Sequence, residues 1–508
     1  MTAQSALGSS APLRRLLVTI CVMMATIMQV LDITIANVSL PYMQGSLSAT
    51  LDQVSWVLTS YVVAAAVMTA PVGWLAARYG IKKLLIVCVT GFTIASMLCG
   101  IAQNIEEIVL FRILQGMCGA ALVPLSQTIM LEIYPPERRG WAMSLWGMGV
   151  MIGPIMGPIL GGVLTEYYSW RWIFFINLPF GIATVLGLLA FMDESEGNRS
   201  LTFDWLGFAA LGIAIGALQL MLDRGEQLGW FDSNEIVLTA LVSVVAFYFF
   251  VAHSLTTQRP FISIEIFRDR NFVIGLMFMF VCGVLLVASM ALMAPMLQGV
   301  MGYPIIDTGV LLGTRGIGMA IAMLIAGRII MRSGPRILLF IGLLCCVVSL
   351  YETIWFTPDT SVQTMVWVSI LQGLGLGFMF VPLNTVALSG LSPALRTQGT
   401  AMWTLIRNLG SSIGVSIFIA NLTNKTVLIH ARLAESVTPF NQALADPAAA
   451  MLDPSTDMGR ALLEQMMAQQ AAIMAYANDF KLMTLMTILA FPLILLIRTT
   501  PPSYAHAR

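Results

Sequence analysis

The chain has 508 residues, of which 58% are hydrophobic and 10% charged. A soluble domain carries about 25% charged residues, so this composition excludes an ordinary water-soluble fold and indicates a membrane chain. The 26 basic and 26 acidic residues cancel, which leaves no charge excess to hold nucleic acid.

A bilayer crossing needs about 20 apolar residues. Such runs occur at 15–40, 54–76, 84–103, 107–131, 141–165, 172–192, 204–222, 235–253, 272–296, 308–330, 337–356, 362–388, 399–422 and 479–497. The first follows Arg14 and Arg15 like a signal peptide, but lacks a small-x-small cleavage site, so it reads as a retained helix. It carries Gln29 and Asp32; the fourth carries Arg112 and Gln115. The fifth carries Gly149, Gly153, Gly157 and Gly161 at four-residue spacing, with Pro154, Pro158 and Gly162 among them. That spacing puts small residues on one helix face, where another backbone can approach closely, either as plain packing or as a gating seam. Arg315 and Arg407 fall in the tenth and thirteenth runs.

The chain repeats itself. Ile113–Ser126 (ILQGMCGAALVPLS) returns as Ile370–Asn384 (ILQGLGLGFMFVPLN), and GWLAARYGIKKLL from Gly73 returns as GRIIMRSGPRILL from Gly327. Gly140-Trp-Ala-Met143 matches Gly399-Thr-Ala-Met402. Three matches in one order mean a duplication, and a duplicated membrane chain suggests two bundles rocking about a central site. The expected organisation is a six-helix bundle over 1–192, two inserted helices within 193–271, and a second six-helix bundle over 272–508. A long outer loop at 423–478 separates the last two spans, and Glu464–Asp479 could form an amphipathic helix in it. Placing both termini in the cytoplasm puts seventeen basic residues on inner segments and six on outer ones, as the positive-inside rule requires.

Charges inside a membrane are costly and mark function by default. Asp32 is the one acid placed deep in a span; Glu132, Asp223 and Glu352 fall near span ends. A carboxyl that meets water alternately on two sides can pick up and release a proton. The duplication sets Leu286 opposite Asp32, and the counterparts of Arg112 and Arg315 fall near Val366 or Ser369 and near Tyr61. These charges are therefore not part of the repeated scaffold. Arg112 and Gln115 share a helix face, as do Gln29 and Asp32. Asp32 and Arg112 are the candidates for proton coupling. Gln29, Gln115, Arg315 and Arg407 are candidates for the substrate cavity; for the two arginines, snorkelling or a bond to backbone carbonyls is the plainer alternative. The seven cysteines lie in apolar runs and read as core residues. His253, His430 and His506 sit at a span end, in a loop and in the tail. No metal site or cofactor is expected. Without a G-x-x-x-x-G-K-[ST] loop, ATP hydrolysis is not the expected motor.

Nearly the whole chain resembles the major facilitator superfamily. Gly73–Lys83 is similar to its loop between helices 2 and 3, with Gly73, Arg78, Gly80, Lys82 and Lys83 in place. Ala77 stands where the pattern has Asp and Ile81 where it has Arg, which removes the acidic member of the family's salt-bridge latch. Leu110–Ala121 resembles the helix 4 motif and Gly153–Gly162 the helix 5 antiporter motif. Leu31–Pro41, Trp170–Pro179 and Leu222–Phe231 resemble the fourteen-helix drug:proton antiporter branch with its EmrB-type multidrug exporters. The resemblance implies an all-α membrane fold of two six-helix pseudo-repeats plus two inserted helices, fourteen in all. It implies no enzyme, but a proton-driven antiporter exporting amphiphilic drugs or toxic compounds across the bacterial inner membrane by alternating access. A periplasmic adaptor protein and an outer-membrane channel would be its partners, beside protons and the lipid bilayer. A proton-coupled importer, or a non-transporting sensor on a carrier fold, remain the alternatives.

Overall fold

The computed structural model describes residues 12–195, 197–257, 260–437, 452 and 455–497, and they contain helices and no strands. The helices are α1 (Pro12–Ser46), α2 (Leu51–Thr69), α3 (Val72–Tyr79), α4 (Ile81–Ile101), α5 (Ile105–Gly119) and α6 (Leu122–Ile133). They continue as α7 (Arg139–Tyr167), α8 (Trp172–Phe175), α9 (Asn177–Phe191), α10 (Trp205–Arg224), α11 (Asn234–Thr256) and α12 (Arg270–Pro295). The last are α13 (Ile305–Ser333), α14 (Pro335–Thr353), α15 (Val362–Ser389), α16 (Pro393–Ser436), α17 (Asp457–Leu489) and α18 (Phe491–Leu496). Among the described residues twelve helices are long and apolar enough to cross a bilayer, and α2 with α3, bent by 56°, makes a thirteenth. The expected fourteen is met to within one. The 29-residue α7 runs beside them, with several of its side chains, including that of Pro158, outside the described residues.

One expectation fails at the thirteenth and fourteenth spans. The segment 423–478 is not a loop: α16 continues to Ser436, 44 residues in all, and α17 starts at Asp457. At 1.5 Å per residue α16 is about 66 Å long, twice the hydrocarbon thickness. Ala-, Gln- and Met-rich sequence is polar enough to leave the membrane and still a good helix former. Most of the stretch between Ser436 and Asp457 lies outside the described residues.

The repeated motifs meet each other across the molecule. Gly73 on α3 lies against the first turns of α16, where a Cβ would come within 2.6 Å of the Gln398 Cα. Its repeat Gly327 on α13 lies against the first turn of α7, where a Cβ would meet Gly140 O at 3.0 Å. In both cases a glycine of one half seats on the start of a long helix of the other. Lys82 donates through Nζ to the carbonyl of Met192, just past α9. Its repeat Arg336 donates through Nε and Nη2 to Ile497 O, just past α18, at 3.0 and 2.6 Å. A cation at a helix C-terminus meets the orphan carbonyls there. Gly80 and Gly334, at φ +88° and +75°, make the positive-φ turns that aim these bases. Arg78 also turns to the chain after α9, donating to Leu201 O and lying 5.2 Å over the Trp74 ring. Lys83 reaches Glu194 at 3.8 Å with both side chains exposed.

The end of the bundle that carries these bases is closed. Trp146 stacks on Phe380 with ring centroids 6.0 Å apart, Thr128 and Thr400 share a hydrogen bond of 2.8 Å, and Gln127 donates to Asn384. Toward the other end a Cβ on Gly162 or Gly309 would meet nothing within 4 Å. Gly162 therefore stands off the seam that the glycine spacing suggests. Between the halves, α10 lies on α2 through Gly212 beside Val67 and accepts a bond from Ser416 of α16 at Leu222 O. Asp204 caps α10 at Gly207 N and holds His253 of α11 and Phe261 N, at 2.8, 2.9 and 3.1 Å. Burial works to raise its carboxyl, but these donors outweigh it and hold it below the usual range.

Three glycines of α7, Gly149, Gly153 and Gly157, press on α1. A Cβ on Gly149 would strike Met23; on Gly153 it would lie 2.9 Å from Leu31 N, and on Gly157 it would strike Thr34 with Ile35 N at 3.3 Å. Gly161 is buried further along. Thr34 bonds back to Gly153 O at 3.0 Å. Such backbone contact is what small residues permit in lipid, where packing replaces the hydrophobic effect. We expect Gly157→Leu to lower the yield of folded protein and its melting temperature in detergent by several degrees, while Gly162→Leu, with open space beside it, leaves both near the parent's values. Equal effects at the two positions would contradict the contact.

Candidate functional site

Asp32 sits midway along α1, and the two glycines that press nearest to it, Gly153 and Gly157, fix the height of that turn. Arg112 stands in the third turn of α5, a helix started by the Asn104 cap on Glu107 N. The two meet: Arg112 Nη1 donates to Asp32 Oδ2 at 2.5 Å, and both side chains are fully buried. Gln115, one turn on, donates through Nε2 to Asp32 Oδ1 at 2.8 Å and accepts from Arg112 Nη1 at 2.9 Å. Arg112 Nε donates to Val57 O of α2 at 2.9 Å, and the guanidinium lies 4.2 Å over the Tyr61 ring.

A residue outside the expected set completes the cluster. Asn177, the first residue of α9, donates to Asp32 Oδ1 at 3.2 Å and to Ser96 Oγ of α4 at 3.0 Å. Ser96 in turn donates to Phe174 O at 2.9 Å. Its signal was present: Asn177 is the one amide in WRWIFFINLP, buried at 1% exposure. Five helices thus converge on one carboxylate, and each of its oxygens has a donor. Arg112 Nη2 has no partner among the described residues, so the cluster retains a donor to offer a guest or a water.

The other candidates make no hydrogen bond to Asp32 among the described residues. Gln29 accepts from Val123 N at 3.1 Å. It satisfies the backbone where the fourth span breaks between α5 and α6, just before Pro124, which is a structural task. Arg315 donates through Nη1 to Ser289 Oγ at 2.9 Å and Leu286 O at 3.4 Å. It is 4% exposed, and its Nε has no partner. Arg407 donates to its neighbour Asn408 at 3.4 Å, while its backbone packs on Gly283 of α12. Among the described residues no carboxylate pairs with either arginine. The second half therefore presents two uncompensated cations, and the first half a neutralised pair.

Asp32 is not the only acid inside the bundle, as the sequence suggested. Asp479 on α17 is fully buried and bonded to Asn421 of α16. The apolar run was read as starting at Asp479, so that residue appeared to be at the water's edge; the longer α17 carries it into the packed interior. Glu352 is exposed, and Asp223 accepts from Thr59.

The Major Facilitator Superfamily model matches residues 22–415. The multidrug export protein EmrB of Escherichia coli (strain K12) is 39% identical over 427 residues, covering 84% of this chain and 83% of its own. The fatty acid resistance protein FarB of Neisseria gonorrhoeae is 33% identical over 491 residues, 96% of each chain. The crystal structure of the human organic anion transporter MFSD10 superimposes with a TM-score of 0.60 at 14% identity, covering 96% of this chain and all of that one. The chain belongs to the major facilitator superfamily. It is a multi-pass membrane transporter and not an enzyme.

Removing one partner of a buried ion pair strands the other, a loss of about 3–5 kcal/mol. We expect Arg112→Gln to lower unfolding stability by that order. Asp32→Asn with Arg112→Gln should recover most of it, because the remaining groups are neutral amides. A double-mutant cycle on melting in detergent reads the coupling; additive losses would show that the two side chains do not depend on each other.

Proposed function

We propose that the protein is a proton-driven antiporter that exports amphiphilic drugs or toxic compounds across the bacterial inner membrane by alternating access. The observation that carries this reading is the fully buried Asp32–Arg112 pair in a chain so similar to a multidrug export protein. Asp32 takes a proton when its face of the cavity meets the outer solution, and protonation releases Arg112. When the protein turns inward the proton leaves and the pair re-forms. Arg112 thus keeps the empty, inward carboxyl ionised, and Gln115 and Asn177 hold its orientation in both states. Arg315 and Arg407, across the cavity, meet the polar end of the guest, and the apolar walls meet the rest.

The moving bodies are the bundles 1–192 and 272–508, with 193–271 inserted between them. The glycine seats at Gly73 and Gly327 are the contacts that must open. The basic end, closed here, faces the cytoplasm with both termini. The helical extensions of α16 and α17 then project on the periplasmic side. They offer a docking surface for a periplasmic adaptor protein and, through it, an outer-membrane channel.

Two measurements test this. In inside-out vesicles energised by a proton gradient, Asp32→Asn is expected to lose dye transport by at least tenfold while retaining substrate-induced quenching of tryptophan fluorescence. Transport-linked proton flux at the parent's rate would remove Asp32 from the mechanism. For orientation, Gln465→Cys on the exposed face of α17 should react with an impermeant thiol reagent in cells whose outer membrane has been permeabilised. Arg199→Cys should react only once the inner membrane is opened. The reverse pattern would invert the topology.

A further inference from the structure

The segment Leu222–Phe231 stands outside the Asp32 cluster, yet it is bonded to both halves of the molecule. It forms the last turn of α10 and the turn into α11. Leu228 N bonds back to Arg224 O at 3.1 Å, and Trp230 N to Gly225 O at 2.7 Å. Trp230 Nε1 donates to Glu226 Oε2 at 3.0 Å, and Gly229, at φ +73°, makes the left-handed step before it. From this fixed turn the last residues of α10 reach outward. Asp223 accepts from Thr59 Oγ1 of α2. Arg224 lies 5.4 Å over the Trp56 ring of α2 and pairs with Glu235 of α11. Leu222 O accepts from Ser416 Oγ of α16 at 2.6 Å.

The bond at Asp223 sets a height. Rising numbers on α10 meet falling numbers on α2, so the two helices are antiparallel. A Cβ on Gly212 would lie 3.1 Å from Val67, and one on Gly216 would lie 3.6 Å from Val67 and 3.9 Å from Val63. Glycine backbone against valine methyls is a close but smooth contact. It does not fix how far one helix sits along the other. The Thr59–Asp223 bond does.

Thr59 lies between the two residues of α2 that hold Arg112. Val57 O accepts the Arg112 Nε–H at 2.9 Å, and the Tyr61 ring lies 4.2 Å from the guanidinium. Two residues along a helix turn about 200°, so Thr59 faces α10 while Tyr61 faces Arg112. A shift of α2 along its axis moves Val57 O and Tyr61 off Arg112 together. The titratable groups around Asp32 are few. Arg112 comes from α5, Tyr61 from α2 and Cys99 from α4. Helices α6 and α7 carry charge only at their ends, and α9 carries none. Arg171, ahead of α8, is taken by Gly100 O and Ala102 O at 2.9 and 2.5 Å. What holds Arg112 in place therefore bears directly on when Asp32 takes its proton.

We infer that Asp223 is a positioning residue for proton coupling: through Thr59 it fixes the height at which α2 presents Val57 O and Tyr61 to Arg112. The inference rests on the antiport reading above and gives Asp223 no proton to carry. Leu222 O of the same turn is bonded to α16, which also carries Arg407, so the inserted helices tie the height of α2 to the second half. Without the Thr59–Asp223 bond Arg112 is held less firmly. The Asp32 carboxylate is then less stabilised and keeps its proton to higher pH.

The full-length protein in liposomes tests this, with ethidium as the transported probe and a trapped pH dye. Moving inner and outer pH together at a constant gradient gives the pH of half-maximal transport. We expect Thr59→Val and Asp223→Ala each to raise it by about half a unit. The double variant should raise it no further than the larger single change, because both remove one bond. Asp223→Asn keeps an acceptor for Thr59 and is expected to stay at the parent's value. Glu235→Gln, which frees Arg224 within the inserted pair and leaves Thr59 bonded, is expected to stay there too. An unchanged pH dependence in Thr59→Val, or single shifts that add in the double variant, would overturn the inference while leaving antiport intact. A shift in Asp223→Asn or Glu235→Gln as large as in Asp223→Ala would trace the effect to charge or to the turn as a whole, and would overturn it equally. Absence of proton flux coupled to ethidium in the parent would overturn both readings. Should Asp223→Ala not reach the membrane, Thr59→Val, nearly equal in shape to the parent, decides the matter alone.

Discussion

The rest of the site depends on one constraint: an ion pair buried in a membrane bundle must find its partners within the bundle. The Asp32 carboxylate is fully buried, and lipid offers it no donor. Arg112 supplies the charge, and Gln115 and Asn177 the remaining donors. Each of these needs its own support. Val57 O takes the Arg112 Nε–H, Ser96 holds Asn177, and the Tyr61 ring covers the guanidinium face. The pair thus recruits α1, α2, α4, α5 and α9, nearly the whole first half. It can be rearranged only if that half changes its exposure as a body, which is what a rocking carrier does.

The second constraint is the approach of backbones. Where two halves must meet and part, side chains that interdigitate would lock them. The repeated glycines avoid this. Gly73 and Gly327 present flat backbone to the first turns of α16 and α7, and Lys82 and Arg336 tie each loop to its own half rather than to the other. The missing acid at Ala77 fits this arrangement. Its carbonyl takes the Asn198 N–H at 2.8 Å, and Arg78 points to the same segment. The loop is thereby fastened to the chain that leads into the inserted helices, without an acidic latch.

Much of this was legible because membrane sequences are plain where they are apolar. The all-α class, the near-count of spans and the repeated scaffold follow from run length and from matched glycines and bases. The proximity of Asp32, Arg112 and Gln115 follows from charge being costly in lipid: unrepeated polar residues at similar depth seek each other. What was not legible has equally physical causes. Hydropathy marks where a helix leaves the membrane, not where it stops being a helix, so α16 and α17 were cut short and Asp479 was left at an edge. Asn177 lies at a break between α8 and α9, where a helix start, not a periodic face, decides which way its amide points. Gln29 shares a face with Asp32, but the broken backbone at Val123 claims it first.

The duplication makes the asymmetry of charge meaningful. In the first half the guanidinium comes from the fourth span and lies against Asp32 on the first, over the Tyr61 ring. In the second half Arg315 stands near the position matched to Tyr61, and it donates to the carbonyl of Leu286, the position matched to Asp32. A guanidinium therefore stands at corresponding places in both halves, delivered from different helices, and only one of them has an acid. Two identical pairs would leave a cavity with no preference and no net charge beyond what the scaffold requires. One compensated and one uncompensated site instead make the cavity's charge depend on whether Asp32 carries its proton. With the pair formed, the first half is neutral and the cations on α13 and α16 set the field. With Asp32 neutral, Arg112 adds a further positive charge to the same space. Under the proposed cycle, proton binding and guest binding are then coupled through the field of a shared cavity, and direct contact between proton and guest is not required.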